Sequence, residues 1–461
     1  MKNLLIKNGL VITDDAETVC DIICEEGKIS RIEKDLDCTG AEIIDASGKI
    51  VIPGGVDVHT HMNLDTGKAA SCDDFYSGTV AAACGGTTTI IDHPGFGPAG
   101  CDLDHQIKKY HGLAAGRAVI DYGFHGVIQH VDEKVLTMMD SLADEGVTSF
   151  KLYLTYGFKI SDADAFRVLR RAGERALLVA VHPENDGVIN LLRQEFTTAG
   201  KTAPVFHPLS RPAECEAEAI NRMLLFARLA GDAPLYIVHL SNAPGLEFIN
   251  AARNRGQKNI FAETCPQYLF LGEERYAQGG HEGLKYIMCP PLRSAADRNA
   301  LLNALENDID TVATDHCPFL FETQKMAGRD DFTKCPSGIG GVQERIPLMF
   351  SEGVAKKRIS LRRFVDLCCT SPARIFGLYP KKGVIAVGSD ADLAIIDPDK
   401  KAAISKKIIR GACDYTAYEG FDVHGWPVCT ISRGEVIVRG GKFLGSHGRG
   451  KFLKRERIPL T

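Results

Sequence analysis

The chain has 461 residues, 44% of them hydrophobic and 25% charged, with a net charge of −5 and an isoelectric point near 6.3. That length suits a barrel plus one smaller module, and the acidic balance offers no basic field for nucleic acid or an anionic membrane, which leaves a small-molecule partner. No run approaches a membrane span, and the opening MKNLLIKNGLVITDD is broken by Lys7, Asn8 and Gly9 before a signal-type apolar region develops, so a cytoplasmic protein is expected.

Residues 1–52 alternate apolar and polar positions between turn signals, in LLIKNGLVIT, TVCDIICEEGKISRIE and AEIIDASGKIVIPGG. This is the pattern of short strands, and it returns in VIAVGSDADLAIIDP and TISRGEVIVRGGKFL. Residues 1–52 and 380–445 are therefore expected to combine into one small discontinuous β-sandwich. Between them, residues 53–379 carry eight short apolar runs: IPGGVDVH, TTTIID, AVIDYGF, SFKLYL, LLVAVH, LYIVHL, NIFAET and TVATD. Helix-like stretches separate them, among them SCDDFYSGTVAAAC, SDADAFRVLRRAGERA, ECEAEAINRMLLFARLA and SAADRNALLNALE. The fold class expected is α/β, a (β/α)8 TIM-like barrel with the small β domain attached.

One GxGxxG match, GFGPAG from Gly95 to Gly100, raises a doubly wound nucleotide-binding sheet as the runner-up. Its proline and the polar CDLDHQ that follows suit a plain loop better than a helix start. The fifteen cysteines are odd in number, scattered and without a CxxC pair, which fits reduced core thiols. Residues 446–461 form a tail with too few apolar residues for a core of its own. Its Phe452, Leu453 and Ile458 are expected to dock on a neighbouring subunit.

Side chains with metal-ligand chemistry recur at the C-terminal ends of the apolar runs, where barrel enzymes place their active sites. His59 and His61 stand two apart on an extended segment and so point the same way. Alone, such a pair is more often structural than metal-binding. His182 ends LLVAVH, His239 closes LYIVHL and Asp315 closes TVATD, and this recurrence at equivalent positions points to metal ligation. His316 points to the opposite face and is left outside the ligand set. Lys151 lies inside SFKLYLTY, where a buried ammonium is costly, and more so beside dications. A neutral amine there can add carbon dioxide and become an anionic oxygen ligand; the plain alternative is a lysine whose head reaches solvent.

The set GGVDVHTH, SFKLYLTY, VAVHPEN, YIVHLSN and VATDHCPF resembles the hydantoinase and dihydropyrimidinase branch of the amidohydrolase superfamily over nearly the whole chain. SCDDFYSGTVAAACGGTTTIIDH, AVIDYGFHGVIQH, RPAECEAEAI and the overall length are most similar to its D-hydantoinases. The resemblance implies two divalent metals, zinc first and manganese or cobalt as alternatives. His59, His61 and Asp315 would hold one, His182 and His239 the other, with carboxylated Lys151 (N6-carboxylysine) between them. It implies that Tyr156 polarises the scissile carbonyl and that Asp315 shuttles the proton. Cys289 and Ser337 occupy substrate-binding positions where the family commonly has serine and asparagine. They are kept as binding residues because the resemblance implies that the main chain does the holding.

The expected reaction is stereospecific ring opening of D-5-monosubstituted aromatic hydantoins to N-carbamoyl-D-amino acids, in a homotetramer. Met62, Leu64, Phe96, Leu152, Tyr153 and Phe158 are candidates for contact with the ring substituent. Dihydropyrimidinase and allantoinase activities are the alternatives within the fold, and dihydroorotase lacks an evident cation for the substrate carboxylate. A metal-free scaffold is the non-enzymatic alternative, but none of the six ligand positions is lost.

Overall fold

The computed structural model describes residues 2–459; Met1, and Leu460 and Thr461 of the expected tail, lie outside them. The N-terminal alternation yields β1 (Leu4–Ile12), β2 (Glu17–Glu25), β3 (Lys28–Glu33), β4 (Glu42–Asp45) and β5 (Ile50–Pro53). Each of the eight central runs contains a strand: β6 (Gly55–Thr60), β7 (Thr87–Asp92), β8 (Asp121–Phe124) with its continuation β9 (Gly126–Val127), β10 (Ser149–Tyr153), β11 (Leu178–His182), β12 (Leu235–Ile237), β13 (Ile260–Thr264) and β14 (Thr311–Val312). Near the C-terminus follow β15 (Leu393–Ala403), β16 (Asp422–Ser432), β17 (Glu435–Arg439) and β18 (Lys442–Phe443).

The terminal strands form one hydrogen-bonded sheet in the order β18-β17-β16-β15-β5-β1-β2-β3, with β4 also on β1. The two ends of the chain meet where β5 runs antiparallel to β15, Ile50 opposite Ile396 and Pro53 opposite Leu393. Two stacked sheets were expected, whereas the hydrogen bonding is continuous. The joint is β1, which pairs with β4 through Leu4–Lys7 and with β5 through Leu10 and Val11. The sheet still encloses a core, because Leu4, Ile6 and Ile22 share one buried cluster with Leu393, Ile395 and Ile431.

The central strands pair in parallel and in chain order, β6-β7-β8 and then β9 to β14. A parallel bridge joins Thr60, the end of β6, to His316 beyond β14. The expected helical stretches appear as Ser77–Cys84, Asp162–Arg175, Ala213–Leu229 and Ala295–Ala304. The Ser161 and Ser294 hydroxyls cap two of them by accepting from the amides of Asp164 and Asp297. Alternation splits each strand between two cores. Val56, Val58, Ile91, Leu178, Ala180, Tyr236 and Val238 share one cluster, while Phe150, Leu152, Val179, Val181, Leu235 and Ile237 join the large cluster that includes the helices.

The tail behaves differently from the expectation. Phe452 stacks on Phe124 at 5.6 Å, and Leu453 and Ile458 are buried in the cluster of Val56 and Tyr236. Main-chain bonds from Leu453 to Tyr122 (2.8 Å) and from Tyr122 to Lys451 (3.0 Å) fix it there. Its apolar residues are thus spent on its own chain, where the strand core offers them an apolar surface.

GFGPAG forms no helix start. Gly95 and Phe96 face a cavity, and the Gly95 amide donates to the Tyr110 hydroxyl at 2.9 Å. All fifteen cysteines are free thiols. Among the described residues no helix is long and apolar enough to cross a membrane.

Candidate metal centre

His59, His61, Lys151, His182, His239 and Asp315 all face one cavity of about 640 Å3, together with Tyr156, Cys289 and Ser337. Each of the six lies in the last turn of a central strand or within a few residues of its end. His59, His61 and Asp315 bring their ligand atoms within 4.8 Å of one another. Asp315 Oδ1 lies 3.1 Å from His59 Nε2 and 3.0 Å from His61 Nε2. His182 Nδ1 and His239 Nε2 converge at 2.9 Å.

The outer ring nitrogens explain why the inner ones point inward. His59 Nδ1 donates to Glu263 Oε1 at 2.7 Å, His61 Nδ1 to the His93 carbonyl at 3.3 Å, and His182 Nε2 to Glu184 Oε2 at 2.7 Å. A proton held on the outer nitrogen leaves the inner lone pair as a metal ligand. Charge agrees with this geometry. Burial disfavours a charged His59, yet Glu263 and Asp315 hold its pKa up to about 9. Burial likewise opposes ionisation of Asp315, but His59 and His61 keep it well below the usual carboxylate range. Burial and neighbouring cationic groups push His61, His182 and His239 the other way, below the ordinary histidine range, so these imidazoles are neutral and can ligate a cation. The donor set therefore fits metal ions.

Lys151 is 1% exposed, and burial lowers its pKa to about 8, with Glu263 and Asp315 opposing. Its head does not reach solvent.

Sequence reasoning missed the carboxylates behind the histidines. Glu263 Oε1 accepts from both His59 Nδ1 and the His239 amide (2.9 Å), and its Oε2 accepts from the Tyr236 hydroxyl (2.9 Å). One side chain thereby fixes a member of each ligand group. Glu184 is held by the Arg211 guanidinium at 3.0 and 2.5 Å. Asp57 accepts from the amides of His59 and Thr314, both at 3.2 Å, and so sets β6 against the segment that carries Asp315. His316 is outside the cluster, as expected: its Nε2 donates to Asp73 at 3.0 Å and its Nδ1 accepts from the Gly341 amide. Glu263→Gln is expected to weaken metal affinity by roughly 10- to 100-fold with the fold retained. Chelator competition followed by metal analysis measures this, and unchanged affinity would deny Glu263 the orienting part.

Tyr156, His239 and Asp315 have φ of +74°, +41° and +52°, left-handed values that non-glycine residues seldom adopt. Three such residues at one cavity mark strain held in place by the surrounding structure. Tyr156 stands at the mouth, 5.2 Å from the His182 ring. Burial of its hydroxyl and the neighbouring Cys289 thiol keep its pKa well above the ordinary value, so it remains a proton donor. Cys289 Sγ lies 3.5 Å from Ser337 Oγ, which places the two departures from the family pattern side by side.

Of the residues expected to meet the ring substituent, Leu64, Phe96, Tyr153 and Phe158 line the cavity. Phe96 packs against Tyr153 at 5.0 Å and Phe158 at 4.6 Å. Met62 and Leu152 do not belong with them. Met62 is fully buried, its sulfur 2.2 Å from where a Cβ on Gly78 would stand. Leu152 lies between Lys151 and Tyr153 on β10 and so faces the helices.

The amidohydrolase family model matches residues 50–437. The chain is 50% identical over 455 residues to the D-phenylhydantoinase of Escherichia coli O1:K1, covering 98% of each. In structure it matches the dihydropyrimidinase of Brevibacillus agri NCHU1002 with a TM-score of 0.97 at 41% identity, over all of both chains. The D-hydantoinase of Bacillus sp. AR9 matches with a TM-score of 0.97 at 41% identity, over 99% of this chain and 100% of that one.

Proposed function

This chain belongs to the amidohydrolase family, and from that premise we propose that it is a metal-dependent cyclic-amide hydrolase that opens D-5-monosubstituted hydantoins. The observation that carries this reading is the convergence of four histidines, a buried lysine and an aspartate on one aromatic-walled cavity. The parallel strand order, closed by the Thr60–His316 bridge, supports a (β/α)8 barrel over residues 53–379, with residues 1–52 and 380–445 as the β domain. We also assign it to the cytoplasm as a homotetramer.

His59, His61 and Asp315 would hold one metal ion and His182 and His239 a second, with carboxylated Lys151 as a further ligand, and such ions would supply Lewis acidity and lower the pKa of a bound water. Zinc suits the imidazole and carboxylate donors. The Asp315 carboxylate, through the oxygen not turned to His59 and His61, takes the proton of the attacking water and passes it to the ring nitrogen as the C–N bond breaks. The Tyr156 hydroxyl donates to the carbonyl oxygen as negative charge develops there. The segments bearing Cys289 and Ser337 hold the amide edge of the ring through their main chain. Water has then been added across the amide, and the product is an N-carbamoyl-D-amino acid.

Dihydrouracil presents the same amide edge, so discrimination must come from the wall of Leu64, Phe96, Tyr153 and Phe158. At roughly 25 cal/mol per Å2, burying most of a phenyl ring gains about 2 kcal/mol, a preference of roughly 30-fold. Only one enantiomer can seat that ring while keeping its carbonyl beside Tyr156. Values of kcat/KM for both 5-phenylhydantoin enantiomers and for dihydrouracil should rank the D-enantiomer first. Equal enantiomer rates, or preference for dihydrouracil, would leave only the broader cyclic-amide assignment.

A further inference from the structure

Lys325 is completely buried, and among the described residues its hydrogen-bond partners are main-chain carbonyls. Its Nζ donates to the Ile287 carbonyl at 2.7 Å and to the Pro336 carbonyl at 3.2 Å. A buried ammonium satisfied only by carbonyls is a costly arrangement, and its position gives it meaning. Ile287 stands two residues before Cys289, and Pro336 directly precedes Ser337. The Ile287 carbonyl also accepts from the Gly338 amide at 3.0 Å. The other side of the second segment is bound to the strand end that carries Asp315, since the Cys317 amide donates to the Ile339 carbonyl at 2.8 Å. Gly338 has φ of +149°, and a Cβ there would stand 2.3 Å from the Cys317 carbonyl oxygen, so this close approach requires glycine.

We infer that Lys325 is a positioning residue, a clip that holds the Cys289 and Ser337 segments at a fixed spacing from each other and from Asp315. The inference rests on the reading that these two segments hold the substrate ring. Lys325 itself touches neither the cavity nor any of the six candidate metal ligands. It acts by keeping carbonyl and amide groups preformed for a planar ring, which lowers the ordering required on binding.

The test is Lys325→Met in the metal-loaded full-length enzyme. Loss of the donor leaves the Pro336 carbonyl poorly satisfied and the two segments free to separate. KM should rise roughly tenfold with kcat changed by less than about threefold. The rise should be equal for 5-phenylhydantoin and dihydrouracil, because the clip serves the edge they share. Lys325→Arg, which keeps donors, should fall between wild type and K325M. An unchanged KM, a fall confined to kcat, or a loss limited to the phenyl substrate would overturn the inference.

If K325M does not fold, amide hydrogen exchange in the wild-type enzyme decides. Slow exchange at Gly338 without substrate supports a preformed clip, and rapid exchange refutes it. Wild-type enzyme that opens no cyclic amide would sink the functional reading along with the clip, whereas normal wild-type activity with an unaltered KM in K325M would sink the clip alone.

Discussion

Replacing Lys151 by alanine is expected to give a folded protein with substoichiometric metal and activity reduced on the order of 10³-fold or more, since it loses the anion that would link the two ligand groups. The side chain is well placed for that chemistry. Burial holds its pKa down to about 8, which leaves about a tenth of the amines uncharged at neutral pH and able to take up carbon dioxide with release of a proton. Without the carboxylate, two cations would face four neutral imidazoles and a single aspartate, and their mutual repulsion would be poorly offset. The fold should persist because β10 keeps its parallel pairing to β9 and β11, while Phe150 and Leu152 still pack on the opposite face. Metal analysis, circular dichroism and turnover on one sample are the measurements. Short carboxylic acids should partly restore activity in this variant. An unmodified amine in metal-loaded wild-type protein, seen by intact mass under non-denaturing conditions, would defeat the proposal.

Asp315→Asn is expected to lower kcat by roughly 10²- to 10⁴-fold with a smaller change in KM. The substitution keeps size and shape but removes the charge and the basic oxygen. His59 and His61, still oriented by Glu263 and the His93 carbonyl, should retain at least one metal ion per subunit. Loss of rate with metal present would separate proton transfer from ligation. Near-native turnover at stoichiometric metal would assign the base to another group.

The strands were legible in the sequence because each run is short and apolar, and the candidate ligands because several runs carry a residue of unusual chemistry at or near their ends. Both periodicity and chemistry changed at one position, as at His182 and Asp315. What lay outside was of two kinds. Glu263 and Glu184 act through other residues, and a carboxylate near a strand end reads equally well as a helix cap or a surface charge. Glu263 did carry a signal, the one used for Lys151, a charged group inside an apolar strand. Met62 was misjudged for another reason. It follows His61 directly, but the chain turns there, its amide donating to Asp92 at 2.8 Å, and strand alternation no longer says where the side chain goes. The tail was misread because Phe452, Leu453 and Ile458 have no local partners. The surface that receives them is made by residues such as Tyr122, Phe124 and Tyr236, far away in sequence.

That last contact bears on how the protein comes into being. A ribosome delivers β8 long before the segment that seals it, for the Lys451 amide and the Asp121 carboxylate it donates to are 330 residues apart. Until the final residues emerge, the lower end of the central strand core is an open apolar surface. The nascent chain must keep that surface from other nascent chains throughout the synthesis of the remaining helices. Chain termination a dozen residues early would therefore yield a protein with every candidate metal ligand present and its base uncovered, a species fit for aggregation or chaperone capture more than for catalysis.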